Sequence, residues 1–221
     1  MTTVKTIAIV GATGNMGSAI AKSLSKKGNY RLLLMSNEQD KLVDLKTQLE
    51  KTSKSTEVFA ISCAREASWE ADIIIVATPY EAEKEVAEKI REVATGKIVI
   101  SISNPLNSAY NELVTSADTS AAEELQKLLP NSKVVKTFNT TFAADFLSPI
   151  IDGKTADAFV AGNNGEAVET VSEIVKTAGF NPIIAGDLSV SRTLERMQLL
   201  LIQLTMKNNY NWLAGWKILH N

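Results

Sequence analysis

Among 221 residues there is one cysteine, Cys63, and one histidine, His220. A single thiol excludes a disulfide framework within the chain and suits a reducing compartment, and a lone imidazole leaves no donor cluster for a metal. A charge excess of either sign is also missing. The 23 Lys and Arg against 25 Asp and Glu give a formal net charge of -2, without the basic surplus that grips a phosphate backbone, so nucleic acid is not an expected partner. No apolar run approaches the roughly 18 residues of a membrane span. The start, MTTVKTIAIVG, enters a strand pattern without the charged head, apolar middle and cleavage site of a secretory leader. The expected setting is cytoplasmic, with no membrane partner.

What is present is an ordinary globular composition, 45% hydrophobic and 22% charged, arranged in a regular alternation. Apolar, β-prone runs lie at 6–12, 30–36, 57–62, 72–79, 97–103 and 133–139. Helix-like stretches fill 15–27, 38–52, 80–94 and 120–129. The strand runs are continuous rather than alternating, as in a parallel sheet covered on both faces. This predicts an α/β fold: a Rossmann-type doubly wound, mostly parallel sheet with helices on both faces. Further strand candidates at 158–163 and 180–187 flank the helix GEAVETVSEIVKTAG, and a long helix runs from about Ser189 to Asn208. These make a small α/β C-terminal extension, with the seam at LSPIIDGKTAD; residues 1–150 form the nucleotide-binding domain and 151–221 the extension. The stretch from Leu199 to Met206 is apolar on nearly every side, which predicts burial within the subunit or against a second one.

The chemistry is concentrated at IVGATGNMGSAIAKSL. Gly11, Gly14 and Gly17 stand where the first strand ends and a helix begins, so bare backbone can approach a pyrophosphate and the free N–H groups and positive dipole end can face its charge. In the usual fingerprint frame the first glycine slot is Ala12, with Gly11 one place earlier. The cofactor candidates here are Gly11, Ala12, Thr13, Gly14, Asn15, Met16 and Gly17. At the end of the second strand, where an acidic residue would select NAD, the chain reads Ser36-Asn37, so no carboxylate reaches that tip unless Glu38 turns inward. Ser36, Asn37 and Lys41, with Thr13 opposite, offer hydroxyl, amide and ammonium donors to a 2′-phosphate. The reading leans to NADP, with NAD possible.

The blocks GATGNMGSAIAKSL, MSNEQDK, ATPYEA, SISNPLN, TSAAEELQKLLP, KVVKTFNTTFA, FVAGNNGEA and AGDLSVSRTLERM occur in the order and spacing of the NADP reductases that use the deazaflavin coenzyme F420. The same pattern resembles the reductase domain of the six-transmembrane metalloreductases. The resemblance runs the length of the chain, down to LAGWKIL, and implies a compact Rossmann protein, usually a homodimer, in which NADP(H) and a second ring system meet above the sheet. Members that bind NADP tightly typically carry Ser-Arg where this chain has Ser36-Asn37.

Hydride transfer between a nicotinamide and F420 or a flavin needs no protein nucleophile, so no catalytic residue is expected; the protein holds the reacting carbons and excludes water. Ligands of open parallel sheets sit beyond the carboxyl ends of the strands, at Ala77-Thr78-Pro79, Ser103-Asn104-Pro105 and Phe138-Asn139-Thr140. Thr78 and Pro79 are expected to wall the nicotinamide ribose. Asn104 and Asn139 are candidates for carboxamide or second-ring hydrogen bonds. The bland alternatives are that the prolines end strands and the asparagines satisfy turn backbone, and Phe138 reads as a core residue before a stacking platform. Arg192 and Glu195 are expected to pair along their helix, the alternative implied by the resemblance being that they brace the second-substrate site. Tyr80 and Lys84 match a Tyr-x-x-x-Lys dyad, but on the wrong helix for it. The alternatives to an oxidoreductase acting on a deazaflavin or flavin are a non-catalytic dinucleotide sensor and a small-metabolite dehydrogenase, the latter needing a Lys, His or Tyr acid at the nicotinamide.

Overall fold

The computed structural model describes residues 4–53 and 56–220. Its first half alternates β1 (Lys5–Val10), α1 (Asn15–Lys27), β2 (Tyr30–Met35), α2 (Gln39–Thr52), β3 (Glu57–Ile61), α3 (Ala64–Glu70), β4 (Ile73–Val76), α4 (Tyr80–Ile90) and β5 (Ile98–Ser101). Then come α5 (Ala121–Leu128), β6 (Lys133–Lys136), the short pair β7 (Ile150–Ile151) and β8 (Lys154–Thr155), β9 (Asp157–Gly162), α6 (Gly165–Ala178), β10 (Asn181–Gly186) and α7 (Ser191–Asn208).

Eight strands form one sheet in the order β10-β9-β6-β5-β4-β1-β2-β3. Every neighbouring pair is parallel except β6 with β9. Because side chains alternate across a strand, an unbroken apolar run feeds two cores. Ile7, Ile9, Leu32, Leu34, Ile73 and Ile75 pack with α1, α2 and α6, while Ala8, Val10, Leu33, Ile74 and Val76 pack with α3, α4 and α5. The C-terminal extension adds β9 and β10 to the same sheet, and its α6 docks against α1, where Ser23 Oγ and Lys27 Nζ donate to the Ala178 carbonyl at 3.0 and 3.2 Å. That carbonyl stands at the end of α6, just before Gly179 turns left-handed at φ 100°.

The doubly wound reading holds, with corrections at the element ends. The expected strands to Pro79, Ser103 and Asn139 stop at Val76, Ser101 and Lys136, because Pro79 and Pro105 offer no N–H to a ladder and Phe138 takes φ 58°. The residues beyond are loops at the carboxyl edge of the sheet. The helix expected to reach residue 94 ends at Ile90, followed by turns up to Gly96 at φ 76°. Three elements were not foreseen: α3, a 3-10 turn at Ala143–Phe146, and the β7–β8 hairpin, whose Asp152-Gly153 turn has both φ angles positive. Along α7, Leu201 and Ile202 bury against Phe142, whereas Leu200, Leu204 and Met206 face outward with 47%, 37% and 53% of their surface exposed. Among the described residues no helix is long and apolar enough to cross a membrane.

Candidate active site

The glycine turn is set by contacts at two of its three glycines and by none at the third. Gly11 has φ 91°, and a Cβ on it would lie 2.5 Å from the Ala77 carbonyl oxygen, so glycine is what lets β1 and β4 end side by side. A Cβ at Gly17 would run into the Gly11 carbonyl oxygen, which fixes the close approach of α1 to its strand. Gly14 differs: its φ of -66° and ψ of 166° suit any residue. A Cβ there would meet nothing closer than the Gly11 oxygen at 3.4 Å. Its missing side chain therefore leaves open space at the head of a helix. That head has no side-chain cap and no acidic residue in its first turn. The N–H groups of Asn15, Met16 and Gly17 have no intrahelical acceptors, so the N-terminus of α1 is an uncompensated positive end able to hold an anion. The Gly11 and Ala12 N–H groups both donate to the Met35 carbonyl at 2.9 Å and tie the turn to the end of β2.

A cavity of about 250 Å³ opens beside this helix head. Of the expected cofactor residues it brings together Gly11, Thr13, Gly14, Ser36, Asn37, Ala77, Thr78 and Pro79; Ala12, Asn15, Met16, Gly17, Lys41, Asn104 and Pro105 are not in its wall. The buried Thr78 hydroxyl that borders it has no partner. A larger cleft of about 650 Å³ lies at the opposite edge, around Lys5, Tyr30 and α6. It faces the amino ends of the strands, away from the loops where open parallel sheets place ligands.

Glu38 does turn inward. Its Oε2 accepts from Thr13 Oγ1 at 3.2 Å, and its Oε1 accepts from Lys41 Nζ. The Lys41 hydrogen bond holds the Glu38 carboxyl below the usual carboxylate range. Ser36 Oγ accepts the Glu38 N–H at 3.1 Å and lies 2.5 Å from Thr13 Oγ1. The Thr13 hydroxyl and the Lys41 ammonium expected to face a 2′-phosphate are thus directed at a carboxylate of the chain itself.

At the next two strand ends, Asn104 and Asn139 lock together. Asn104 Nδ2 donates to the Asn139 backbone carbonyl at 2.9 Å, and Asn139 Nδ2 donates to Asn104 Oδ1 at 3.0 Å. Asn139 Oδ1 is buried without a partner. Between β6 and Asn139 stands Phe138, a core residue packed on Phe146 and Phe180. Beneath these loops lies an ion pair that the sequence reading missed. Lys136 Nζ, fully buried, donates to Glu195 Oε1 and to the Ser103 carbonyl, both at 2.6 Å. Glu195 Oε2 also accepts the Ala121 N–H at the start of α5, at 3.2 Å. Glu195 is thus not paired with Arg192, whose guanidinium instead grips Glu123 at 2.8 and 2.5 Å. Their spacing of three along α7 put both on one side, but each found a partner on another element. Glu83, also buried, completes the group. Loss of solvation pushes its carboxyl up to about 7, against the pull of the Lys136 ammonium. Tyr80 gives its hydroxyl to Glu124 at 2.5 Å, and burial pushes its phenol up.

A sequence profile described as "NADP oxidoreductase coenzyme F420-dependent" matches residues 6–105. The F420-dependent NADP reductase of Methanocaldococcus jannaschii is 31% identical over 209 residues, which cover 91% of this chain and 92% of that one. The chain belongs to the F420-dependent NADP reductase family. The human metalloreductase STEAP2 is 34% identical to this family member over 116 residues, 52% of this chain and 22% of the metalloreductase. The crystal structure of a putative F420-dependent NADP-reductase from Arthrobacter sp. FB24 superposes with a TM-score of 0.82 at 24% identity, over 97% of this chain and 99% of that one, so the two share one fold.

Proposed function

We propose that this chain is an NADP-dependent oxidoreductase that passes a hydride between NADP(H) and a deazaflavin of the F420 type or a related flavin ring. The observation that carries this reading is the bare helix head at Gly14, open to a cavity and uncompensated in charge, in a chain 31% identical to an F420-dependent NADP reductase. The Asn15, Met16 and Gly17 N–H groups at the head of α1 would receive the pyrophosphate, with the turn from Gly11 to Gly14 leaving room for it, and Ser36, Asn37 and Lys41 would meet the adenosine ribose and its phosphate. Ala77, Thr78 and Pro79 would wall the nicotinamide ribose, with the orphaned Thr78 hydroxyl as donor. Asn104 and Pro105 border the nicotinamide side, and Asn139 supplies a free acceptor there. The two ring systems supply the hydride chemistry; the chain's part is to set them about 3 to 3.5 Å apart and keep water out.

In this reading residues 1–150 hold the dinucleotide, and 151–221 close the second-ring side and bring two copies together. The outward Leu200, Leu204 and Met206 of α7, with Tyr210 and Trp212 beyond it, form an exposed apolar surface suited to a homodimer. The free, exposed thiol of Cys63 fits the reducing cytoplasm.

The test is titration with NADPH and NADH by cofactor fluorescence, then stopped-flow mixing of the reduced complex with F420, FMN and FAD. Rapid oxidation by one ring names the acceptor. Tight binding without turnover on any of them overturns the enzyme in favour of a dinucleotide sensor.

A further inference from the structure

The hydrogen-bond chain at the end of β2 has a direction. Thr13 has one hydroxyl proton and gives it to Glu38, so the proton between Thr13 and Ser36 must come from Ser36, which in turn accepts the Glu38 N–H. Lys41 approaches the other carboxylate oxygen. Two donors from two different elements therefore converge on one anionic group beside the helix head. Glu38 stands at the cap position of α2 but makes no side-chain cap hydrogen bond, so its side chain is tied to that helix only through the pair with Lys41. It is half exposed and Lys41 about two-thirds, and a surface ion pair of this kind is weakly held and readily displaced.

We propose that the Glu38 carboxylate is an internal occupant of the 2′-phosphate position, so that this chain accepts NADH through Glu38 and NADPH only by displacing Glu38 from Thr13 and Lys41. The inference rests on the proposed dinucleotide site. With NADH bound, Glu38 is placed to accept a ribose hydroxyl, the role an acidic residue plays at the end of a second strand. With NADPH bound, the phosphate takes over the Thr13 and Lys41 donors, and Glu38 must leave or be left facing a like charge. The outcome is a site that binds the two cofactors with similar affinity, where Ser36-Asn37 alone would suggest a plain NADP pocket.

The experiment is equilibrium titration of the full chain, Glu38→Gln and Lys41→Gln with NADPH and with NADH, read by cofactor fluorescence without any acceptor present. Glu38→Gln should tighten NADPH about tenfold, the size of one like charge removed at short range in water-like surroundings, and weaken NADH. Lys41→Gln should weaken NADPH and leave NADH nearly unchanged. Both substitutions are at the surface, and an unchanged thermal midpoint certifies the fold. If Glu38→Gln moves both cofactors by the same factor, or neither, this proposal fails while the dinucleotide site stands. If the unaltered chain binds neither cofactor, the site itself is wrong and the proposal goes with it.

Discussion

Gly14→Asp separates the role of the glycine turn in binding from its role in the fold, because the two respond in opposite directions. Position 14 has an extended backbone at φ -66°, and a new Cβ would find only the Gly11 oxygen at 3.4 Å, an ordinary contact. It is also the N-cap of α1 and lacks a side-chain cap, while aspartate is among the preferred residues there and gains a few tenths of a kcal/mol over glycine. The variant should therefore unfold at the same temperature or up to about 2 °C higher. Binding should collapse. A carboxylate about 5 Å from a pyrophosphate with two negative charges is repelled by about 2 kcal/mol in water-like surroundings and about 7 kcal/mol at the effective dielectric of a protein surface. Those energies correspond to a loss of NADPH affinity of about thirtyfold to more than ten-thousandfold. The assay pairs differential scanning calorimetry with fluorescence titration, and Gly14→Ala serves as the uncharged control. NADPH affinity within about threefold of the unaltered chain would refute the assignment of this helix head to the pyrophosphate. A fall in affinity accompanied by a fall in thermal midpoint would trace the loss to the fold instead.

Three further substitutions test the surroundings. Asn37→Arg should tighten NADPH more than NADH in the same titration; equal effects would mean that the end of β2 does not meet the 2′-phosphate. Lys136→Met should destabilise the chain by about 3 to 5 kcal/mol in urea unfolding, because it leaves Glu195 and Glu83 buried without their cation, and Lys136→Met with Glu195→Leu should recover much of that loss. The native Glu83 carboxyl, raised to about 7 from its ordinary 4.5, binds a proton more readily than in the unfolded chain. Its contribution to stability is therefore whole below the unfolded value and is lost as pH rises through about 7, a change of about 3 kcal/mol. Unfolding in urea at pH 5 and pH 8.5 should show this fall in the unaltered chain and a flatter profile in Glu83→Gln; the same fall in both would place its origin elsewhere.

The sheet was legible because its strands are continuous Ile, Val and Leu runs, a pattern that only burial on both faces demands. The helix heads were legible where a turn residue precedes an amphipathic stretch, as at Gly14 before Asn15. The strand ends were overrun because Thr78, Thr137 and Phe138 extend β-prone runs by a residue or two, while the backbone leaves the ladder for reasons local to Pro79 and Phe138. The β7–β8 hairpin did carry a signal, the Asp152-Gly153 pair between short β-prone flanks, which is the favoured two-residue turn. The antiparallel placement of β9 against β6 had none, since nothing in AFVAG states which edge of the sheet it joins.

The parts of the site that escaped the sequence are those made by residues far apart in the chain meeting end to end. Lys136 closes a strand run and Glu195 sits on a helix rich in charge, so each alone reads as a surface residue. Only the placement of α7 across β6 makes them a pair, 59 residues apart and fully buried. Glu83 reads likewise as one of four glutamates on α4, until the Lys136 ammonium and the lost solvent distinguish it. Glu38 could be named from the sequence as a carboxylate near the second strand, but not aimed. Its direction depends on Thr13, on the loop 25 residues earlier, and the Gly11 and Ala12 bonds to Met35 are what bring that loop within reach. Composition and spacing therefore pointed to the proposed dinucleotide cradle, whereas the direction of the Glu38 carboxylate follows from how two strand ends are tied together.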